Sequence, residues 1–554
     1  MTGQNQPHTP DDSAEEFSAG GLAEMQAILN DAEAVYYDDG PPREYPPLDK
    51  VAAIDQKLCR YSATDLGNAE RLVARHGADL IWIKEIGWVC WTGKRWDRER
   101  GDTEVQLRAH DTARAIRNEV LAMGALGPYE EETPKAFDER MEKFAKFAKD
   151  SKNQRRLGAI TTIAGPILHG MNDDLDRHHF LFNTESGTIN LQAKDTGDGS
   201  YNGGIALRKH QREDRLTRLS PIKYDPDAQC PRFLQFLRDI QPDDDIQLFL
   251  QRFFGYCLSG SIREQIVVMF YGQGSNGKST LMDLMNYVMG DYALVLPFAS
   301  LLQDDRRRGS EATPDLARLP GARFVTSAEP ETGARFSEAT LKTLTGGEKM
   351  TVRHLNKGFF EFYPQFKLCL SFNNKPAIRG QDDGIWRRIV LVPFDQKFVD
   401  QEKLAEFPRA KLKDRSLEGA LREEAAGIFN WILDGYRLWV ESGLQIPARI
   451  RAATEEYKTE SNPVNQFLLA CTRRREGGYV QATRLYEAYK LWCQDNALDP
   501  MSQTKFGYRM KDSGIEKSRG EYITYTGIEL NLDVETRLDE AAARKFHNRG
   551  GNDD

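Results

Sequence analysis

Residues 270–285, "FYGQGSNGKSTLMDLM", are the ones best suited to chemistry in this chain. Gly272, Gln273, Gly274, Ser275, Asn276, Gly277, Lys278, Ser279 and Thr280 satisfy the spacing G-x-x-x-x-G-K-[ST] in full and extend one residue beyond it. Glycines let successive backbone N–H groups converge on phosphate oxygens, and a helix N-terminus behind them adds partial positive charge. Lys278 is expected to neutralise β- and γ-phosphates, and the Ser279 hydroxyl to complete a Mg2+ shell. The context agrees. "IVVMFY" has the composition of a buried strand, and "TLMDLMNYVM" that of the helix such a loop must feed.

Turnover of a nucleotide needs more than a phosphate cradle. A carboxylate must place metal and water, usually from the end of a neighbouring strand. "ARFVTSAEPE" offers Glu329, with Glu331 two residues on, and the sequence leaves open which of them dominates. "FKLCLSF" leads to Asn373, whose amide can donate and accept at once, suiting a γ-phosphate and an attacking water. "DDGIWRRIVLVPF" sets Arg387 and Arg388 before another strand, permanent charges suited to a phosphoryl transition state.

Those residues need a scaffold. The apolar runs "QIVVMFY", "RFVTSA", "FKLCLSF" and "IVLVPF", separated by longer mixed segments, predict an α/β core with a parallel sheet and helical crossovers over residues 261–455. Phe and Leu at helical spacing predict a helical collar over 221–260. Residues 51–220 predict an α+β domain. "IWIKEIGWVCWTGKRWDRE" reads there as a hairpin turning at Thr-Gly-Lys, its tryptophans Trp88, Trp91 and Trp96 serving as hairpin core. Residues 1–50 are polar and acidic with a proline-rich exit and predict a disordered leader. Residues 456–535 form a further domain, and 536–554 a flexible tail.

The order of "GQGSNGKSTL", "LARLPGARFVTSAE", "LKTLTGGEKMTVRHL", "YPQFKLCLSFNNKPAI" and "DDGIWRRIVLVPF" resembles that of superfamily 3 helicases. The nearest branch is similar to the phage, plasmid and poxvirus primase–helicases, a group within the AAA+ ATPases. The resemblance implies an AAA+ core, ATP and Mg2+ as cofactors, and a ring, expected to be a hexamer. By position it implies that Lys278 and Ser279 serve nucleotide and metal, Glu329 the metal and water, and Asn373 the sensor role. Arg388, or Arg387, would act on the neighbouring subunit's nucleotide. Here the wording "Ser-Ala-Glu-Pro-Glu" departs from the commoner "Ser-Glu", which keeps Glu331 in view.

"TGGEKMTVRHLNKGFFEFYPQ" reads as a β-hairpin carrying Lys349, Arg353, His354 and Lys357. The resemblance implies that this hairpin projects into the channel of the ring and grips single-stranded DNA, with Lys357 leading, during 3′ to 5′ translocation. A lysine at such a tip holds backbone phosphate without reading sequence. Farther on, "ATRLYEAYKLWCQDNAL" and "SQTKFGYRMKDSG" followed by "IEKSRGEYITYTGIEL" resemble a winged helix. Lys505, Arg509 and Lys511 fall on its candidate recognition helix, and Lys517 and Arg519 near its wing.

Composition sets outer bounds. With 554 residues, 40% hydrophobic and 29% charged, the chain reads as an ordinary globular protein of several domains. No apolar run approaches the roughly 20 residues that span a bilayer, and the start lacks a secretion signal, so residence in a bacterial host's cytoplasm is expected. A net charge of −9 leaves room for a local basic groove. Seven singly scattered cysteines predict small buried apolar residues rather than a zinc ribbon or a disulfide framework. The leader is too short for a fused polymerising primase, so a separate primase partner is expected. The leading expectation is an ATP-driven replicative DNA helicase of a phage or mobile element. The alternative is a replication initiator using ATP only as an assembly switch.

Overall fold

Amphipathic helices gather into one unit and continuous apolar strands into another in the computed structural model, which describes residues 47–193, 204–302, 313–328, 336–353, 355, 358–376, 378, 383–496 and 498–549. The leader expected over 1–50 lies outside the described residues as far as position 46. One unit runs through Cys90 and again from Asp97 to Gly170; the other takes Trp91–Trp96 and everything from Met171. The domain expected over 51–220 is therefore divided at Gly170.

In the first unit, α1 (Asp65–His76) begins where the Thr64 side chain accepts a hydrogen bond from the Gly67 N–H. Strands β1 (Leu80–Ile83) and β2 (Gly87–Trp91) pair antiparallel, Leu80 opposite Cys90. Helices α2 (Gly101–Leu126), α3 (Pro134–Asp150) and α4 (Gln154–Ile167) complete it. Their interior holds a paired charge: buried Arg71 donates to Glu119 at 2.7 Å, and Arg75 donates to the other carboxylate oxygen at 2.9 Å. Trp88 is buried in this unit's core, as expected; Trp91 and Trp96 belong to the other unit, where Trp96 is buried and Trp91 half-buried.

The second unit opens with antiparallel strands β3 (Leu181–Thr184), β4 (Gly187–Ala193) and β5 (Gly204–Arg208). Helices α5 (Pro231–Ile240) and α6 (Asp244–Leu258) come after them. Next come β6 (Val267–Tyr271), α7 (Lys278–Met289), β7 (Ala293–Val295), β8 (Phe324–Ala328) and α8 (Glu338–Gly346). The hairpin β9 (Met350–Arg353) and β10 (Phe359–Phe362) precedes β11 (Lys367–Phe372) and β12 (Ile389–Pro393). Five of these strands form a parallel sheet in the order β12-β6-β11-β8-β7. Every residue of β11 is buried, as a central parallel strand requires.

Alternate residues of the sheet feed two cores. Val268, Phe270, Cys369, Val390 and Val392 face one that includes α5, α6, α7 and α9 (Ala425–Ser442). Val267, Met269, Leu368, Leu370 and Leu391 face one built from α8, the β9–β10 hairpin and Tyr457 of α10 (Ala448–Glu460). The segment expected as a collar is thus part of the sheet's own core. All seven cysteines are buried.

The C-terminal elements are α11 (Pro463–Cys471), β13 (Thr472–Gln481), α12 (Ala482–Asp495), α13 (Gln503–Asp512), β14 (Lys517–Arg519), β15 (Ile523–Leu530) and α14 (Leu532–Arg549). The last helix corrects the expected tail over 536–554: the chain is helical to Arg549, because Val534 and Leu538 share a face and close the core over Phe467 and Tyr489. Among the described residues no helix is long and apolar enough to cross a membrane.

Helices α6 and α9 cross at glycines. A Cβ on Gly435 would lie 2.0 Å from the Gln251 carbonyl oxygen, and one on Gly255 would lie 2.1 Å from the Tyr436 nitrogen. Gly435→Val must push the helices apart and is expected to destabilise the unit by about 3 kcal/mol or more. A denaturant midpoint equal to the parent's would contradict this close approach.

Candidate nucleotide-binding site

The phosphate loop leaves the end of β6 and is pinned on both flanks. Phe394, just past β12, donates its N–H to the Tyr271 carbonyl at 2.7 Å. The Asn276 amide donates to the Phe394 carbonyl at 3.1 Å, and the Phe398 N–H donates to the Ser275 carbonyl at 2.7 Å. Gly274, Ser275 and Gly277 adopt φ of +81°, +49° and +85°, the left-handed conformations that turn neighbouring N–H groups toward a common centre. Gly277 cannot be replaced on a second count, since a Cβ there would lie 2.3 Å from Cγ2 of Ile240.

Lys278 opens α7 and is buried. Its ammonium donates to the Gly272 carbonyl at 2.7 Å, to Asn276 Oδ1 at 3.0 Å and to Asn373 Oδ1 at 3.1 Å. All three of these acceptors are uncharged, a set that an anionic phosphate oxygen can displace with gain. Asn373 reaches the loop because β11 pairs with β6 in parallel register, Phe372 opposite Tyr271, so both strands release their chains at one level. Two residues chosen from distant segments of sequence therefore meet. The loop from Gly274 to Thr280, together with Ser371 and Asn373, lines a cavity of about 1060 Å³. Ser279 is exposed and lines it. Phe236, Ile240 and Phe398 also line the cavity, and no sequence pattern marked them.

Strand β8 leads toward the expected carboxylates and ends with Ala328 opposite Ser371 of β11. Glu329 and Glu331 themselves lie outside the described residues. The two arginines part company. Arg388 is buried, its Nε donating to Thr345 Oγ1 of α8 at 3.1 Å and its Nη1 to the Gly384 carbonyl. Arg387 is exposed. Arg388 is thus held by groups of its own chain, whereas Arg387, the other residue the sequence offers for that role, stands at the surface.

The hairpin expected to meet DNA is present as β9 and β10, with Met350 opposite Phe362 and Arg353 opposite Phe359. Arg353 is half-buried, its guanidinium 4.9 Å from the centre of the Phe359 ring. His354 and Lys357 lie outside the described residues. Lys349 is engaged by Glu361 at 3.0 Å. In the C-terminal region, Lys505 and Lys511 are exposed on α13, Arg509 is half-buried there, and Lys517 and Arg519 are exposed on β14.

Residues 69–242 match the family model described as D5 N terminal like, 270–388 a family of unknown function, DUF5906, and 459–525 the Poxvirus D5 protein-like family. The chain is 29% identical over 335 residues to "Putative helicase L207/L206" of Acanthamoeba polyphaga mimivirus, covering 58% of this chain and 34% of that protein. It is 26% identical over 278 residues to "Putative helicase 022R" of Frog virus 3, covering 48% and 28%. It is 24% identical over 221 residues to "Putative primase C962R" of African swine fever virus, covering 38% and 23%. The chain thus spans about a third or less of the length of these relatives, and it is similar to viral proteins named as helicases and primases. Among solved structures, the apo NrS-1 C terminal region aligns at 14% identity with a TM-score of 0.36, covering 55% of this chain and 78% of that one.

The two arginines give a test of the geometry. Arg388→Ala removes a buried guanidinium and is expected to cost about 2 kcal/mol or more of stability, while Arg387→Ala stays within about 0.5 kcal/mol of the parent. Equal unfolding midpoints for the two variants would contradict their opposite placement.

Proposed function

We propose that this chain is a subunit of an ATP-driven DNA helicase of the superfamily 3 type, acting in replication. The observation that carries the reading is the meeting of Lys278, at the start of α7, with Asn373, just past β11, 3.1 Å apart beside a cavity large enough for a whole nucleotide. In this reading the left-handed turns at Gly274, Ser275 and Gly277 aim N–H groups at phosphate oxygens, and Lys278 exchanges its neutral acceptors for them. Mg2+ supplied with ATP would neutralise charge between the β- and γ-phosphates, held by Ser279 and Glu329. Asn373 orients the attacking water, with Glu329 or Glu331 accepting its proton. The parallel sheet supports an AAA+ core, and the order of helices and strands from α11 to β15 supports a winged helix.

The exposed Arg387 completes the site of an adjacent copy, which makes a closed ring, expected to be a hexamer, the working unit. Arg353, His354 and Lys357 of the hairpin, with Lys505, Arg509 and Lys511 of α13, hold the DNA backbone. Translocation is assigned the 3′ to 5′ direction. A primase acts as a separate partner, and the assembly works in the cytoplasm of a host cell.

The decisive experiment is displacement of a labelled strand from a forked duplex with MgATP. ATP turnover without displacement would identify an ATP-switched initiator instead. Three variants divide the roles. Lys278→Ala is expected to lower nucleotide affinity at least about 100-fold. Arg387→Ala subunits and Lys278→Ala subunits, each inactive alone, are expected to regain part of their turnover when mixed; a mixture as inactive as its components removes the shared-site assignment. Lys357→Ala is expected to lose the increment in turnover that single-stranded DNA provides, and an unchanged increment would take DNA contact away from the hairpin.

A further inference from the structure

Residues 143–156, "KFAKFAKDSKNQRR", hold six cations and one carboxylate, in a chain whose net charge is −9. The cations recur at every third position, Lys143, Lys146, Lys149, Lys152 and Arg155, with Arg156 beside the last. The first three lie on α3, where a step of three residues nearly completes a turn, so they run up one side of the helix over about 9 Å. Lys152 stands in the turn that follows, and Arg155 and Arg156 in the first turn of α4. Arg156 is half-buried and the other five are exposed.

The turn between the two helices is fixed from beneath. Ser151 is buried; its hydroxyl donates to the Phe147 carbonyl at 2.8 Å and accepts from the Asn68 amide of α1 at 3.0 Å. Met141, Phe144 and Phe147 bury the other face of α3. Arg156 is held too, its guanidinium 5.1 Å from the centre of the Phe147 ring and 3.9 Å from the Asp65 carboxylate. The charges therefore stand on one preformed surface.

That surface is short of counter-charge. Elsewhere in this unit arginines meet carboxylates: Arg75 with Asp55 and Glu119, Arg108 with Glu104, Arg140 with Glu132. Among the described residues, Lys143, Lys146 and Arg155 have no ion-pair or hydrogen-bond partner, although Glu139 and Glu142 lie one turn before the two lysines. Helix α4 has no acidic residue in its first turn, and Asn153 at its N-cap makes no side-chain cap bond. Two arginines there oppose the positive end of the helix dipole, and like charges one turn apart on α3 repel. An external anion relieves both.

The spread of the charges and the absence of rings choose the anion. A stripe of separate side chains suits a chain of phosphates better than one small ion. Phe144 and Phe147 are buried, and no large apolar side chain is exposed between Tyr129 and Ile167. The surface thus offers no ring for an unpaired base to stack on and no apolar wedge for a bilayer. A duplex, whose bases already stack on one another, needs neither.

We propose that the C-terminal half of α3, the turn at Ser151 and the start of α4 form a docking surface for the phosphate backbone of double-stranded DNA, independent of sequence. It belongs to a different unit from the phosphate loop and the β9–β10 hairpin, and binding there needs neither nucleotide nor strand displacement. In the proposed function it holds the unopened arm of a fork.

The test is equilibrium binding of the full chain to a labelled DNA duplex of about 20 base pairs, without nucleotide, over a range of salt concentrations. The triple variant Lys143→Gln, Lys146→Gln, Arg155→Gln alters exposed positions only and is expected to keep the parent's unfolding midpoint. Its duplex affinity at low salt is expected to fall about tenfold or more, and the slope of log affinity against log salt to become shallower by about 2 to 3. The control Lys50→Gln, Lys57→Gln, Lys84→Gln removes the same charge from exposed positions of the same unit and is expected to stay within about threefold of the parent. Unchanged affinity and slope in the first variant, an equal loss in the control, or a parent that does not bind the duplex would each overturn the surface. A loss as large for a single strand of the same length would overturn its assignment to a duplex, and a parent held by phosphatidylserine vesicles but not by the duplex would give it to a membrane. A chain that shows the expected duplex binding but displaces no strand from a fork keeps this surface and loses the proposed activity.

Discussion

The register of the parallel sheet is the constraint on which the site depends. With Phe372 opposite Tyr271, Pro393 opposite Tyr271 and Ser371 opposite Ala328, four adjacent strands end at one level. The residues just past these strands then share a single rim: Gly272 after β6, Asn373 after β11 and Phe394 after β12. Parallel strands make this possible because all of them point the same way, and ligands collect beyond their carboxyl ends. A slip of one residue in β11 would turn its side chains to the opposite core and displace Asn373 by about 3.3 Å, breaking its contact with Lys278.

The opposite rim shows what holds that register. Arg323, just ahead of β8, is buried and donates to the His178 and His179 carbonyls at 3.0 and 2.9 Å. Lys367, first residue of β11, is buried and donates to the carbonyls of Ser259, Ser261 and Gln365. Burial pushes the Lys367 ammonium down to about 7 and the Arg323 guanidinium down to about 10, while the carbonyls stabilise the charged forms. A buried cation without its acceptors costs several kcal/mol, so each strand start has one favourable position. Chemistry sits at one end of the sheet and alignment at the other.

Elements whose own residues carry a strong pattern were legible in the sequence. The runs that became β6, β8, β11 and β12 are continuously apolar because both faces of a central parallel strand are buried. The phosphate loop was legible because its backbone demands glycine. Strand β13 was not, since "TRRREG" is exposed along most of its length and shows no alternation until Val480. Strand β7 is three residues long, too short for a period to emerge. Helix α14 buries only Val534 and Leu538 among its described side chains, which is sparse against a background of charge. Arg387 and Arg388 look alike in sequence; Thr345 of α8 is among the groups that hold Arg388 inside, and a long-range partner leaves no local signal. Helix α5 was legible as a helix but not as a cavity wall, for the same reason.

A nucleotide site and a DNA-contacting hairpin would communicate through this same sheet. The hairpin strand β10 ends at Phe362 and β11 begins at Lys367, with only Tyr363–Phe366 between them. Asn373 stands at the far end of the same β11. The hairpin and the residue that touches Lys278 are thus joined through a single fully buried strand rather than through a chain of loops. A strand hydrogen-bonded on both sides cannot bend locally without breaking pairs, so a displacement at one end is carried as a shift of the whole strand against β6 and β8. Lys367 resists that shift at its start, and the Asn373–Lys278 contact resists it at its end. In the proposed function, a phosphate oxygen that took the Lys278 contact from Asn373 would loosen a restraint at that end of the strand, and the hairpin lies at the other.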